Sequence, residues 1–372
     1  MIYFDNAATS RPKPEEVFEA FNYYAREIGA SPGRGSYGLA IQASRMLYQA
    51  RKAVAGFFGV DDPSNVVFTK NSTEAANLFF NGYLQRGDHV LISPYEHNAV
   101  LRPLQALADR GVIEYSVLPD EALYGPGLLR RHVRENTKLL ALTLASNLTG
   151  QLVFSRETAA EAHGLGLSVF VDASQGAGKK LISMKRDGAD FLAFTGHKDL
   201  LALPGVGGLV SREGLRIAPL LQGGTGIHGE SYVNPEAYPD SYEAGTLNMP
   251  AIWALKAALE YIDKNAGKIL EREDRLLRYC MESLERDSRV LIYNRDRPRV
   301  PAFCFNLDGV PSSTVVERLS EKDICVRGGL HCAVKAHEAI GTVSAGAVRV
   351  SLNFYNTEEE IDQFVRAVRE IV

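Results

Sequence analysis

Apolar residues along the first two thirds of the chain alternate between a helical and an extended spacing. Residues 41–58 carry apolar side chains on one helical face, and Gly59 follows them as a C-cap. Residues 66–69 form a short apolar run typical of a buried strand, and Asn71 with Glu74 begins the next helix as a capping-box-like pair. The same alternation predicts further strands at 89–93, 113–118, 138–145, 167–172 and 190–195 and further helices at 97–110 and 155–165.

Short, almost wholly apolar strands separated by helices predict an α/β fold with a parallel sheet that is covered on both faces. Right-handed crossovers are the expected connections in such a sheet. Ligands of these folds bind at the carboxyl ends of the strands. Polar residues that come directly after a strand are therefore the candidate functional residues.

The pattern changes after about residue 248. Residues 249–286 predict two helices joined near Gly267. Shorter elements follow, with strands at 290–293, 301–307, 324–327 and 347–352 and helices at 312–320 and 357–371. We predict a large domain over residues 16–247 and a smaller α+β domain over residues 248–372, which the N-terminal segment 1–15 joins.

Composition and charge restrict the class of partner. The chain has 372 residues, of which 45% are apolar and 23% charged, and 41 basic against 45 acidic residues give a net charge of −4. This balance gives no basic surface for nucleic acid or for an anionic membrane, so a small molecule or another protein is the expected partner. No apolar run reaches the roughly 18 residues of a spanning helix, and the start lacks a secretion signal, so the predicted location is cytoplasmic.

The four cysteines lie at positions 280, 304, 325 and 332 and form no CxxC pair. This number excludes a disulfide-dense secreted scaffold, and the spacing argues against a structural zinc site. From composition alone, all four are expected to be small buried apolar residues.

Two strand ends carry residues suited to an aldehyde cofactor. Lys198 comes three residues after the strand at 190–195, and a lysine there can form a Schiff base. Asp172 ends the strand at 167–172, where a buried carboxylate needs a cationic or hydrogen-bonding partner such as a protonated pyridine nitrogen. The alternatives are a surface lysine that begins a loop and an aspartate that caps the next helix.

Two further junctions suit other parts of such a cofactor. Residues 71–74 begin a helix with two hydroxyl side chains, Ser72 and Thr73, which together with the helix amides can bind a phosphate. His97 follows the strand at 89–93, where an imidazole can stack on a planar ring. Simple N-capping and a structural histidine are the alternatives.

Five motifs occur in order along the chain: Asp172 with Gln175, Thr195-Gly-His-Lys198, Glu243-Ala-Gly-Thr246, Arg327-Gly-Gly-Leu-His-Cys332 and Arg349-Val-Ser-Leu. With the opening residues 3–9 (YFDNAAT), this set resembles the class V aminotransferase superfamily of pyridoxal 5'-phosphate (PLP) enzymes, in its cysteine desulfurase branch. The resemblance spans residues 2 to 365. It implies PLP fold type I, with a mainly parallel sheet flanked by helices and a smaller α+β C-terminal domain.

The resemblance also implies a role for each matching residue. Lys198 is expected to carry PLP and move protons, and Lys198, Cys332 and His97 are expected to be catalytic. Cofactor contacts are expected from Ser72, Thr73, His97, Asn147, Asp172, Gln175, Thr195, His197 and Lys198, and from Thr246 on the partner subunit of a homodimer. Substrate contacts are expected from Asn147, Arg327 and Arg349, where the planar guanidinium of Arg349 suits the substrate α-carboxylate.

Cys332 sets the expected reaction. It follows the motif that presents the catalytic cysteine in desulfurases, and nearby cationic groups such as Arg327 and His331 favour a thiolate. A metal site of His331, Cys332 and His337 would lack a complete ligand set. The other three cysteines are expected to be buried structural residues.

The segment after Cys332 is short, as in the SUF-type desulfurases, which implies that a sulfur-acceptor protein docks at the pocket. The family often has a proline where this chain has Val334, and a small residue where it has Asp199. These departures affect the expected loop rigidity and choice of acceptor.

Three functions remain open at this point. The first is a desulfurase that converts L-cysteine to L-alanine and leaves a persulfide on Cys332, for iron–sulfur assembly or another sulfur pathway. The second is a selenocysteine lyase, or another class V enzyme such as an aminotransferase or epimerase. The third is a non-catalytic dimer that acts by protein binding.

Overall fold

The computed structural model describes residues 1–33, 35–125, 127–227 and 230–371. The α-helices in these ranges are α1 (Glu15–Tyr23), α2 (Gly38–Phe58), α3 (Ser72–Tyr83), α4 (Asn98–Asp109), α5 (Glu121–Tyr124), α6 (Arg156–Gly164), α7 (Met184–Asp187), α8 (Met249–Leu284), α9 (Ser312–Ser320), α10 (Val334–Ala339) and α11 (Glu358–Arg369). The strands are β1 (Ile2–Tyr3), β2 (Val66–Thr69), β3 (His89–Ile92), β4 (Glu114–Val117), β5 (Thr137–Thr143), β6 (Ser168–Asp172), β7 (Phe191–Thr195), β8 (Gly207–Ser211), β9 (Val290–Ile292), β10 (Ala302–Leu307), β11 (Ile324–Cys325), β12 (Arg327–Gly329) and β13 (Ala347–Ser351).

The central sheet has seven strands in the order β2-β8-β7-β6-β5-β3-β4. All are parallel except β8, which pairs antiparallel with both β2 and β7. The predicted mainly parallel α/β sheet is confirmed. The sequence pattern missed β8, which begins with two glycines. A Cβ on Gly208 would lie 2.7 Å from the Val67 carbonyl oxygen, so this strand packs too closely for larger side chains.

Helices cover both faces of this sheet. On one face, Phe79 of α3 stacks on Phe170 of β6 with ring centroids 4.8 Å apart. On the other face, Phe58 of α2 packs against Phe194 of β7 at 5.3 Å. Because β6 and β7 are buried on both sides, their polar residues are restricted to the strand ends, at Ser168, Asp172 and Thr195.

A second sheet lies towards the C-terminus, with four antiparallel strands in the order β12-β13-β10-β9. Helices α9 and α11 and the second half of α8 pack on it around a separate apolar cluster. The N-terminal segment reaches this region: β1 pairs parallel with β11, and Asp5 forms a bridge with Ser351 of β13.

The predicted pair of helices at 249–286 is wrong, because α8 runs without a break from Met249 to Leu284. Gly267 is exposed and helical, and a Cβ there would contact nothing within 4 Å. One glycine costs a helix only about 1 kcal/mol, and the apolar residues on both sides of Gly267 are buried. Within the described ranges, none of the helices is long and apolar enough to cross a membrane.

Candidate active site

Lys198 lies in the turn that follows β7, at the carboxyl edge of the central sheet. Burial lowers the pKa of its amine, and the Asp172 carboxylate opposes this effect. The Arg349 and Arg327 guanidinium groups lower the pKa further. The structure therefore brings Lys198, Asp172 and the two predicted substrate arginines into one electrostatic environment.

Asp172 ends β6 and is almost fully buried. Its Oδ1 accepts hydrogen bonds from Ser72 Oγ at 3.1 Å and from Ser174 N and Oγ at 3.0 and 2.6 Å. Among the described residues, no donor is bonded to Oδ2. Three donors on one oxygen leave the second oxygen of the carboxyl group for a ligand group.

His97 is the N-cap residue of α4, and its Nδ1 accepts the Ala99 N–H at 3.0 Å. This bond fixes the ring and leaves Nε2 as the protonated nitrogen. Burial lowers the pKa of His97 to about 4, and Lys198, Arg327 and Arg349 lower it too. His97 is therefore neutral at pH 7 and lies beside Lys198, which suits ring stacking better than ionic bonding.

The predicted phosphate contacts follow β7 and β2, which are separated by β8 in the central sheet. Thr195 ends β7 with a buried Oγ1 that has no hydrogen-bond partner among the described residues. Thr73 is exposed in the first turn of α3, whereas the Ser72 hydroxyl is bonded to Asp172. Burial lowers the pKa of His197 to about 4, so this imidazole can offer a phosphate a neutral N–H.

Gln175, Asn147 and Arg349 lie on the side of the site where the N-terminal segment passes. Gln175 Nε2 donates to the Ala7 carbonyl at 2.7 Å. Arg349 Nη1 donates to the Asn147 carbonyl at 3.0 Å, and its Nη2 forms an ion pair with Asp5 Oδ1 at 2.5 Å. Asn147 Oδ1 and Arg349 Nε are buried and unpartnered among the described residues, so each can still bind a ligand group.

The loop that carries Cys332 is fixed at two points. Asn147 Nδ2 donates to the His331 carbonyl at 2.7 Å, and the Asn98 amide at the start of α4 donates to the Cys332 carbonyl at 2.9 Å. His331 and Cys332 both have positive φ, 51° and 55°, a strained conformation for such residues. These bonds place the exposed Cys332 next to the residue that follows His97.

His331 does not supply the cationic charge that its position suggests. Its Nε2 lies 3.1 Å from the Arg327 carbonyl oxygen, and its ring stacks on His337 at 5.8 Å. Burial lowers its pKa to about 3, with a further contribution from Arg349, so the ring is neutral. Arg327 is exposed and is the remaining cationic candidate from that motif.

The other cysteines largely follow the expectation. Cys280 and Cys304 are fully buried, and burial raises the pKa of both thiols. Cys325 is only partly buried, which corrects its predicted full burial, because it lies in the two-stranded pairing with Tyr3 near the surface. In the described part of the chain, no group of three or more His, Cys, Asp or Glu residues could hold a metal ion.

Thr246 lies at a cavity of about 490 Å³ that His197, Asn71 and Glu74 also line. Lys198, Asp172 and Cys332 do not line it, so it borders the site rather than containing it. The neighbouring Glu243 is buried in a bidentate ion pair with Arg51 of α2, and it also accepts the Phe68 N–H at 2.6 Å. This pair anchors the 243–246 motif to β2.

Sequence analysis assigned no role at the site to several residues that build it. Asp5 pairs with Arg349, and the carbonyl of His197 accepts bonds from Thr9, Ser10 and Lys13. The sequence signal was available, since residues 3–9 form a motif, but only folding places that motif against β13 and the turn after β7.

The fold and this lysine-centred site define an enzyme of PLP fold type I. The aminotransferase class-V family model matches residues 2–364. A probable cysteine desulfurase of Methanothermobacter thermautotrophicus is 32% identical over 100% of this chain and 94% of its own. A cysteine desulfurase of Pectobacterium carotovorum is 33% identical, and the match covers 100% of this chain and 93% of that protein. This chain belongs to the class-V aminotransferase family.

Solved structures agree with this assignment. The apo cysteine desulfurase of Thermococcus onnurineus has a TM-score of 0.92 at 33% identity, with 100% of this chain and 94% of that chain covered. A cysteine desulfurase of Escherichia coli has a TM-score of 0.87 at 29% identity, and the match covers 99% of this chain and 93% of that chain. The relatives therefore favour the desulfurase interpretation over the selenocysteine lyase.

Proposed function

We propose that this protein is a PLP-dependent cysteine desulfurase that converts L-cysteine to L-alanine and forms a persulfide on Cys332. One observation carries the proposal: the exposed Cys332 is hydrogen-bonded through its carbonyl to Asn98, directly after His97, and the charge of Lys198 contributes to the lowered pKa of His97. A nucleophilic thiol and a lysine of lowered pKa thus lie at one site.

The residues present fit the cofactor. Lys198 would hold PLP covalently, Asp172 Oδ2 would bind its ring nitrogen, and the unpartnered Thr195 Oγ1 would donate to its phosphate. Thr73 and His197 would complete the phosphate contacts, and Ser72 would support Asp172. When bound, PLP would accept the electrons released when the substrate α-carbon loses its proton.

The residues of the chain account for the remaining steps. Burial favours the neutral amine of Lys198, which can take the α-proton as a general base. The Cys332 thiolate attacks the substrate sulfur and forms an S–S bond. The substrate C–S bond breaks and its electron pair stays on the β-carbon, which takes a proton. The protonated Lys198 then returns a proton to the α-carbon, which gives L-alanine.

Arg349 is the proposed binding group for the substrate α-carboxylate. Its side chain is almost fully buried and held at both Nη atoms, while Nε has no partner among the described residues. Fixed donors in a dry site bind a carboxylate strongly because little reorganisation is required. Asn147 Oδ1 is available for the substrate beside it.

Two partners belong to the proposal. A homodimer would allow Thr246 to reach the phosphate site of the partner subunit. A sulfur-acceptor protein would dock near Cys332, because α10 begins only two residues after the cysteine and its carbonyl is bonded to α4. Such a short, fixed loop cannot carry the persulfide far, so the acceptor has to approach the pocket.

Incubation of the purified protein with L-cysteine tests the function. We expect stoichiometric alanine and a mass increase of one sulfur atom on the peptide that contains Cys332. A Cys332→Ala variant should keep the PLP absorbance and lose at least ~100-fold in alanine formation, because the C–S bond then lacks its nucleophile. Cys325→Ala is the matched control and should retain activity. PLP binding without alanine, or equal rates in wild type and Cys332→Ala, would contradict the proposal.

A further inference from the structure

Asp199 directly follows Lys198 and joins two loops of the site. Its Oδ2 accepts the backbone N–H of Gly176 at 2.7 Å. Gly176 comes directly after Gln175, in the loop that follows Asp172 and β6. A charge-assisted hydrogen bond therefore connects the turn that carries Lys198 with the loop that carries Asp172.

The backbones of these two loops also touch. Gly178 has φ +92°, and a Cβ at this position would lie 2.6 Å from the carbonyl oxygen of Asp199. Only a glycine allows both this conformation and this approach. The position of residue 199 therefore fixes how far Lys198 lies from Asp172 across the site.

A buried ion pair continues from Asp199 to α8. Burial raises the pKa of Asp199, and Lys179 is the charged group that most opposes this effect. Lys179 pairs with Glu273 of α8, with 3% and 2% of the two side chains exposed. Glu273 Oε1 also accepts the Phe354 N–H at 3.0 Å. Asp199, Lys179 and Glu273 thus alternate in sign between the two loops and α8.

Lys198 faces charges of both signs. The nearby carboxylates of Asp172 and Asp199 raise the pKa of Lys198, and the guanidinium groups of Arg349 and Arg327 lower it. His97 and His197 flank it, and burial lowers the pKa of each to about 4, so both are neutral at pH 7. Without the Asp199 charge, only Asp172 would oppose the two arginines.

We propose that Asp199 is a positioning residue for Lys198, which holds the turn after β7 against the Gln175–Gly176 loop and supplies the second carboxylate that balances the arginines. The proposal depends on the assignment of Lys198 as the cofactor lysine. Asp199 is one of the two positions, with Val334, at which this chain departs from the family it resembles.

Two variants separate the two effects of Asp199. Asp199→Asn keeps an oxygen acceptor for the Gly176 amide and removes the charge, whereas Asp199→Ala removes both. Asp274→Asn is the matched control, since Asp274 lies on α8 next to Glu273 but its side chain is 64% exposed.

The first readout is the pH dependence of Lys198 acylation by an amine reagent, measured by peptide mass spectrometry in the cofactor-stripped full-length protein. The second is the pH titration of the visible PLP band in the holoprotein.

We expect both Asp199 variants to shift the Lys198 acylation midpoint and the PLP band titration to lower pH by about 0.5 to 1 unit, since loss of a nearby carboxylate favours the neutral amine. Only Asp199→Ala should also lose PLP on gel filtration. A midpoint for Asp199→Asn within about 0.2 unit of wild type would overturn the proposal, as would full PLP retention by Asp199→Ala. An Asp199→Asn variant that fails to fold would also overturn it, because Asp199 would then serve stability alone. The acylation readout does not depend on desulfurase activity, so failure of the proposed function stays distinguishable.

Discussion

At the scale of single residues, burial decides which groups at the site carry charge. His97, His197 and His331 all have pKa values lowered by desolvation, to about 4, 4 and 3. Sequence proximity suggested that His331 would help to ionise Cys332. The structure instead shows a neutral ring, and the cations of the site are guanidinium groups. The sequence marked these histidines as candidates for the site but could not give their protonation state, because that depends on burial.

Glu96 provides a residue-scale prediction. It is buried beneath the site, and its Oε1 accepts Ser93 Oγ at 2.5 Å and the Thr143 N–H at 2.7 Å. Burial raises its pKa from 4.5 to about 8, and the nearby Asp172 raises it further. Between these two pH values, Glu96 is ionised in the unfolded chain but stays protonated in the folded chain. The free energy of unfolding therefore falls as pH rises from 4.5 to 8.

Glu96→Gln should therefore gain stability relative to wild type as pH rises. We expect the difference in unfolding free energy to move in favour of the variant by at least about 1 kcal/mol between pH 5 and pH 8. Urea unfolding of the full chain at both pH values measures this difference. Glu282→Gln, at an exposed position of α8, is the control and should show no such change. A pH-independent difference for Glu96→Gln would contradict the prediction.

At the scale of elements, α8 differs most from its prediction. Its residues from Met249 to Ile262 pack in the apolar cluster of the large sheet, and those from Leu276 to Leu284 pack in the cluster of the small sheet. The low helix propensity of Gly267 suggested a break, but the burial of apolar residues on both sides of it keeps the helix continuous. The division at residue 248 into a large and a small domain stays a prediction.

Gly267→Ala should stabilise the protein by about 0.5–1 kcal/mol, because a Cβ there meets no atom within 4 Å and alanine loses less backbone entropy in a helix. Urea unfolding measures the change.

Gly208→Ala in β8 is the contrasting variant. Its Cβ would lie 2.6 Å from the Phe194 ring and 2.7 Å from the Val67 oxygen, so we expect a loss of about 1–3 kcal/mol. Equal effects of the two substitutions would show that space around the Cβ does not decide the outcome.

At the scale of the whole molecule, the N-terminal segment joins the parts of the site. Asp5 bonds Arg349 beside β13, Ala7 accepts from Gln175, and Thr9 donates to the His197 carbonyl. The sequence marked residues 3–9 as a motif, yet their partners lie 168 to 344 positions away. No local pattern encodes such contacts.

The proposed homodimer leads to a complementation test. Lys198→Ala and Thr246→Ala variants are each expected to be inactive or weakened as homodimers. In a mixed dimer, one site combines the native Lys198 of one subunit with the native Thr246 of the other, so co-refolded or co-expressed variants should recover up to about half of the wild-type activity per mixed dimer. Sedimentation gives the oligomeric state. No recovery in a verified mixed dimer would show that Thr246 serves its own subunit.

The sequence by itself determined the α/β class and the strand ends that Asp172, Lys198 and His97 follow or occupy. It also distinguished Cys332 from the other cysteines by the motif before it. Strand periodicity and short motifs are local properties. Tertiary structure decided the rest. It set the neutral histidines through burial, the Arg349–Asp5 and Lys179–Glu273 pairs through long-range packing, and the link from Asp199 to the Gly176 amide through the close approach of two loops. Charge state and pairing depend on which distant groups fold together, and the order of residues along the chain does not state that.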